Sequence, residues 1–266
     1  MSLGFLILCF VYGAAIGSFL NVVILRLPVG KKINGRSVCG NCKHQLGVAD
    51  LFPVLSYFWL GGKCRYCGSK FSIRYALVEI MTGVLFALSY AWVQPTELVG
   101  VLHLLMTWSV IATCIVVFLI DWDHYLILDK VLVWATAGYV VLFFILQLFE
   151  FGVTTAGVET LKLLLWGLLS ALPLLFLWAV SKGRWMGFGD VKLTAYMGVV
   201  LGLKAFVVGL FGAFLLGSIV SLPLLLTQKK KLTSKIPFGT FLGICTVLAY
   251  FYGQASADWY LSIFRW

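Results

Sequence analysis

Apolar residues run along this chain in long stretches, and their lengths set the first expectation. A helix needs about 17 to 25 residues to cross the hydrocarbon of a bilayer. Eight stretches are read as spans: residues 3–27, 75–93, 98–120, 131–149, 160–181, 190–203, 205–227 and 236–253. The sixth is short and contains glycine between Asp190 and Gly202, so it suits a half-span or a steep turn as well as a crossing. The pattern predicts an all-α membrane protein of about eight transmembrane helices, with one polar module between the first two. Three parts are expected: a first transmembrane helix (1–28), a soluble loop domain (29–74) and a polytopic membrane domain (75–266).

Composition supports that class. Hydrophobic residues make up 62% of the 266 residues and charged ones 11%, and the mean hydropathy is +1.02. These values lie outside the range of soluble globular domains. The net charge of +10 is distributed by topology. On one side lie the basic residues of the first loop from Arg26 to Arg74, then Lys130, Lys182, Arg184, Lys192, Lys229 to Lys231 and Lys235. The other side has Lys162, Lys204 and Arg265. Because Lys and Arg near span ends stay cytoplasmic, the loop is expected in the cytoplasm and both termini outside. No nucleic-acid partner is needed to explain the charge. Residues Met1 to Gly4 carry no basic segment before the first apolar run, so that run reads as a retained span and not a cleaved signal.

The loop carries chemistry. Cys39-Gly-Asn-Cys42 and Cys64-Arg-Tyr-Cys67 are two CxxC knuckles separated by residues 43–63, close to the spacing of a four-thiolate zinc site. Four thiolates closing a tetrahedron would staple a segment with too little core to fold alone. A closed site of this kind is structural. An iron ion suits the same ligands, and disulfides are the competing reading, which a reducing cytoplasm disfavours. Cys9, Cys114 and Cys245 sit in apolar runs and read as packing residues.

Carboxylates are costly beside apolar spans and therefore point to function. Two acidic segments stand out: Asp121-Trp-Asp123-His124 running on to Asp129, and Gly187-Phe-Gly189-Asp190-Val-Lys192. Asp121 ends the third predicted span and Asp190 opens the sixth, so packed helices could bring them to one point. Two carboxylates in a poorly solvated site share one proton, which suits general acid and base work on a water and a peptide carbonyl. Gly187 and Gly189 would let an extended peptide approach and let the chain turn before the helix. The competing reading makes Asp190 a helix N-terminal charge. Asp123 either bonds the pair or faces solvent, Asp129 reads as the N-terminal charge of its helix, and His124 as a polar loop residue. Lys192 either tunes Asp190 or anchors the interface.

Several segments together resemble the type IV prepilin peptidases, membrane aspartyl proteases of the GxGD class. They are GSFLNVVILRLP (17–28), the paired CxxC loop with LSYFWLGGKCRYC, the run from Asp121 to Asp129, GFGDVKL (187–193) and IPFGTFL (236–242). The resemblance covers nearly the whole chain. It implies Asp121 and Asp190 as the catalytic pair in the bacterial inner membrane. It also implies cleavage of the short basic leader of prepilins or pseudopilins after a Gly on the cytoplasmic side. N-methylation of the new first residue with S-adenosylmethionine would follow. The chain departs from the family at Leu128 and Thr240, each often Pro, at Asp50-Leu-Phe-Pro53, often Asp-Asn-Ile-Pro, and at Tyr75-Ala76 before Val78-Glu79, often Tyr-Pro. Asp50 and Glu79, acids bordering the basic loop, are the candidates for the methyl-transfer half. A peptidase without methylation is the alternative within the family. A transporter or assembly scaffold with ion-binding acids is the alternative outside it, though no second GxGD or doubled half is present.

Overall fold

The computed structural model describes residues 2–226 and 236–263. The predicted inner-side charges Lys229 to Lys231 and Lys235, with Arg265 on the other side, lie outside the described residues. The long helices are α1 (Leu3–Arg26), α3 (Arg74–Val93), α4 (Leu98–His124), α5 (Asp129–Phe151), α6 (Val153–Ser181), α7 (Phe188–Leu226) and α8 (Phe238–Ile263). All seven are long and apolar enough to cross a membrane. The short α2 (Leu55–Trp59) and a 3-10 turn (Val48–Asp50) lie in the first loop, and no strands form among the described residues. The chain divides into two compact units, Met1–Ala112 and Thr113–Trp266, with α4 contributing to both.

In the first unit α1 packs on α3 through glycines. Gly13 and Gly17, four apart, share one face of α1. A Cβ at Gly13 would lie 2.8 Å from Cβ of Phe86, and one at Gly17 would lie 2.8 Å from Cα of Glu79. Gly83 on α3 approaches the Phe10 carbonyl equally closely. Lipid tails are as apolar as the helices, so close backbone contact through small residues replaces the hydrophobic drive of water. Trp108 of α4 stacks on Phe86 at 4.8 Å, and its indole N–H donates to Ser89 at 2.9 Å. At the end of α1 the Arg26 guanidinium donates to the carbonyls of Ile33, Asn34, Gly35 and Arg36, which folds the start of the loop back onto the helix.

In the second unit α7 contains both the sixth and the seventh predicted spans, and Gly202 separates them with φ 65° and ψ 174°. That conformation is open to glycine and strained for other residues. Contacts with α8 show the chain reversing there. Gly189 and Gly239 both lie against Ile127, so the starts of α7 and α8 are together, while Gly253 lies against Ala205. Beyond the turn the direction inverts: Gly209 meets Ala249, Gly212 meets Cys245 and Gly217 meets Phe241. Gly209 also touches Met197 and Leu201 of the first arm. The sixth predicted span is therefore a short helical arm that ends in a one-residue turn, and the eight predicted spans fall on seven helices. Near the turn, Lys204 pairs with Asp258 of α8 at 2.8 Å. On α6, Gly167 and Ser170 receive Val199 and Gly198 of the first arm in close contact.

Candidate active site and metal loop

At the end of α4, Asp121 is buried at 5% exposure although one more turn of helix follows it. Its carboxylate faces the first turn of α8. The Thr240 backbone N–H donates to Oδ2 at 2.9 Å, the Thr240 hydroxyl lies 3.4 Å from the same oxygen, and the Gly239 amide also engages the carboxylate. The first amides of a helix have no partner within it, and they carry the positive end of its dipole. Asp121 occupies that position for a helix over a hundred residues away in sequence.

Asp190 is in the first turn of α7 and 8% exposed. Its carboxylate engages the Gly187 amide and lies within Coulombic reach of Asp121. The helix-start reading of Asp190 and the paired reading thus describe the same residue. Ile127, in the α4–α5 connection, forms the floor between the two. A Cβ at Gly189 would meet its Cβ at 2.9 Å, and one at Gly239 would meet its Cδ1 at 2.8 Å. At Gly189 the missing Cβ also makes room for Ile127, a packing reason for glycine at that position. Gly187 is exposed, and an added Cβ there would meet only Asp190 and the adjacent Gly189 amide, at ordinary contact distances.

The remaining acids take other places. Asp129 opens α5, as read from the sequence, and Lys192 donates to both of its carboxylate oxygens at 2.6 and 2.8 Å. The Lys192 ammonium also lies 5.0 Å from the Phe188 ring. Lys192 is thus a tie between α5 and α7. Asp123 and His124 are exposed.

In the loop the two knuckles fold alike. The Cys39 N–H donates to the His44 carbonyl and the Lys43 N–H to the Cys39 carbonyl; the Cys64 N–H donates to Ser69 and the Gly68 N–H to Cys64. Lys43 and Gly68 hold matching positive φ values of 58° and 70°. The turns aim all four sulfurs inward, and their ligand atoms lie within 4.8 Å of one another. Cys39 and Cys67 Sγ are 3.8 Å apart, and the edge of a tetrahedron with metal–sulfur bonds of about 2.3 Å is about 3.8 Å. The donor set therefore fits a tetrahedral metal, and the four cysteines are free of disulfides. Ser69, not singled out in the sequence, lies 3.2 Å from Cys67 Sγ and 3.5 Å from Cys39 Sγ. Its hydroxyl, with its backbone, lowers the Cys67 thiol to about 6, while burial and the neighbouring cysteines push Cys42 up to about 11, a crowding of thiols that a bound cation would relieve.

Asp50 and Glu79 separate in role. The Asp50 side chain is 4% exposed and pairs with Arg65 Nε at 2.8 Å, while its other oxygen accepts from the Gly47 N–H and lies 3.5 Å from the Tyr66 hydroxyl. It braces the second knuckle. Glu79 is buried on α3, accepts from the Val54 N–H at 2.7 Å and engages Ser18 of α1. Val54 has φ 64°, a strained value for a β-branched residue. Nearby, Asn21 of α1 donates to the Tyr75 carbonyl at 3.1 Å. The loop, the end of α1 and the start of α3 therefore converge on Glu79.

A polytopic helical membrane protein with two buried carboxylates meeting at helix ends, and a separate four-cysteine loop, defines the class. Residues 11–93 match the bacterial peptidase A24 N-terminal domain and residues 108–222 the type IV leader peptidase family. The chain is 32% identical to the prepilin leader peptidase/N-methyltransferase of Aeromonas salmonicida (strain A449), over 96% of this chain and 93% of that protein. It is 30% identical to proteins of the same name from Aeromonas hydrophila, covering 97% and 94%, and from Bacillus subtilis (strain 168), covering 96% and 97%. No solved structure matches the chain significantly. The chain belongs to the prepilin leader peptidase/N-methyltransferase family, a family of multi-pass bacterial membrane proteins.

Two elements of the site were not singled out from the sequence. Ile127 lies inside the first acidic segment but carries no chemical group to mark it. Thr240 was visible only as a departure in IPFGTFL, and the signal for it was the motif's position at a helix start.

Proposed function

We propose that this chain is a membrane-embedded aspartic endopeptidase of prepilins or pseudopilins, with Asp121 and Asp190 as its catalytic pair. The observation that carries the reading is the meeting of two buried carboxylates from separate helices at one end of the second unit. The ionised member takes a proton from a water as the water oxygen attacks the scissile carbonyl carbon. The protonated member gives its proton to the carbonyl oxygen, forming a neutral tetrahedral diol. Collapse returns a proton to one carboxylate, transfers one to the leaving amine and breaks the C–N bond. The open side of Gly187 is where an extended substrate would pass.

Methyl transfer is assigned to the first unit, with S-adenosylmethionine as donor. The buried carboxylate of Glu79 offers charge complementary to a sulfonium. The four-cysteine loop is assigned zinc in a structural role and, with the active end, a cytoplasmic location, in keeping with its basic residues. Residues 29–74 act as the loop domain and 75–266 carry the peptidase. The test is incubation of the purified protein with a prepilin, with and without S-adenosylmethionine, followed by mass spectrometry of the product N-terminus. Asp121→Asn and Asp190→Asn should each lower cleavage by about 10²-fold or more. Full activity in either variant would remove that residue from the mechanism.

A further inference from the structure

The two carboxylates are not equivalent in their surroundings. Asp121 receives the Thr240 N–H at 2.9 Å and the Gly239 amide at the positive end of α8, and it shares the Thr240 hydroxyl, 3.4 Å away, with the Phe118 carbonyl at 3.5 Å. Asp190 has the Gly187 amide and faces Asp121. Donors aimed at a carboxylate favour its anion, and a neighbouring anion favours the protonated form of the other acid. We infer that Thr240 is a positioning residue that holds Asp121 as the ionised base, leaving Asp190 to carry the shared proton. The inference rests on the proposed peptidase reading and deepens it by dividing the roles.

The other charged groups at this end do not reverse the assignment: Lys182 and Arg184, between α6 and α7, are exposed. Asp123, His124 and Tyr125 are exposed at the end of α4, and Lys130 is exposed on α5. The charge of Asp129 is paired with Lys192 of α7. The entry to α8 and its first turn, Ile236 to Thr240, carry no titratable side chain. Thr240 is 2% exposed, so water does not replace its donors freely. Thr240 provides this position with an N–H and an O–H, neither of which a Pro would supply.

Thr240→Pro is the direct test, because position 240 lies in the first turn of α8, where the amide has no intrahelical acceptor to lose and Pro is tolerated. Thr240→Val removes the hydroxyl alone and remains informative if the Pro variant does not fold, and Thr240→Ser should restore wild-type behaviour. The readout is the pH profile of kcat/KM for prepilin cleavage. Loss of the donors weakens the anion, so the acid limb in Thr240→Pro should move up by about one pH unit, and in Thr240→Val by less. An acid limb that stays in place in both variants, whether or not the rate falls, overturns the inference. Asp121→Asn and Asp190→Asn run beside them separate the two levels. Activity in either Asn variant sinks the peptidase pair itself. Two inactive Asn variants with an unmoved limb in the Thr240 variants sink only the division of roles.

Discussion

A methyl group added at Gly239 lands 2.9 Å from Asp121 Oδ2 and 2.8 Å from Cδ1 of Ile127. The isoleucine end is flexible and can yield, whereas the carboxylate is fixed by its donors. Gly239→Ala should therefore reduce cleavage at least tenfold, as misplacement of a catalytic group does. Adding Ile127→Ala should not recover it, since the clash with Asp121 remains. Recovery in the double variant, assayed on the same prepilin, would show that Ile127 was the obstacle. The acids were legible in the sequence because a carboxylate beside an apolar run stands out by its energetic cost. Gly239, Ile127 and Thr240 were not, because their contribution is a contact across the fold and neither charge nor periodicity records it.

At the scale of elements, the knuckles were the most legible feature, since ligand spacing survives any arrangement of the loop around it. What spacing did not reveal is how each knuckle is built. The matching turns at Lys43 and Gly68 and the bracing of the second knuckle by Asp50 depend on backbone geometry and pairing. If metal binding is part of folding the loop, the purified protein should hold about one zinc per chain by elemental analysis. Cys39→Ser and Cys64→Ser should lose it and open residues 29–74 to protease. A metal-free loop that still resists protease would overturn the zinc assignment. Spans were legible by length, while the turn at Gly202 was only half legible. The short apolar run signalled an unusual crossing, but the join to the next helix through one glycine follows from contacts with α8.

On the scale of the whole molecule, the two units divide the proposed activities along the chain. Glu79→Gln keeps the shape of the side chain but weakens its bond to Val54 and removes its charge, so it should lower methylation more than cleavage. Parallel assays on one preparation decide this, and equal loss of both activities would give Glu79 a folding role alone. The hairpin at Gly202 sets where the peptidase chemistry takes place. Its first arm runs from Phe188 to residue 201, about 20 Å at 1.5 Å per residue, against a hydrocarbon thickness of about 30 Å. If the turn and the Lys204–Asp258 pair mark the far face of the bilayer, the shortfall falls at the Asp190 end. Either the bilayer thins there or the carboxylates sit below the lipid headgroups. For the proposed catalytic pair, either arrangement would put the scissile bond within reach of a substrate already lodged in the membrane.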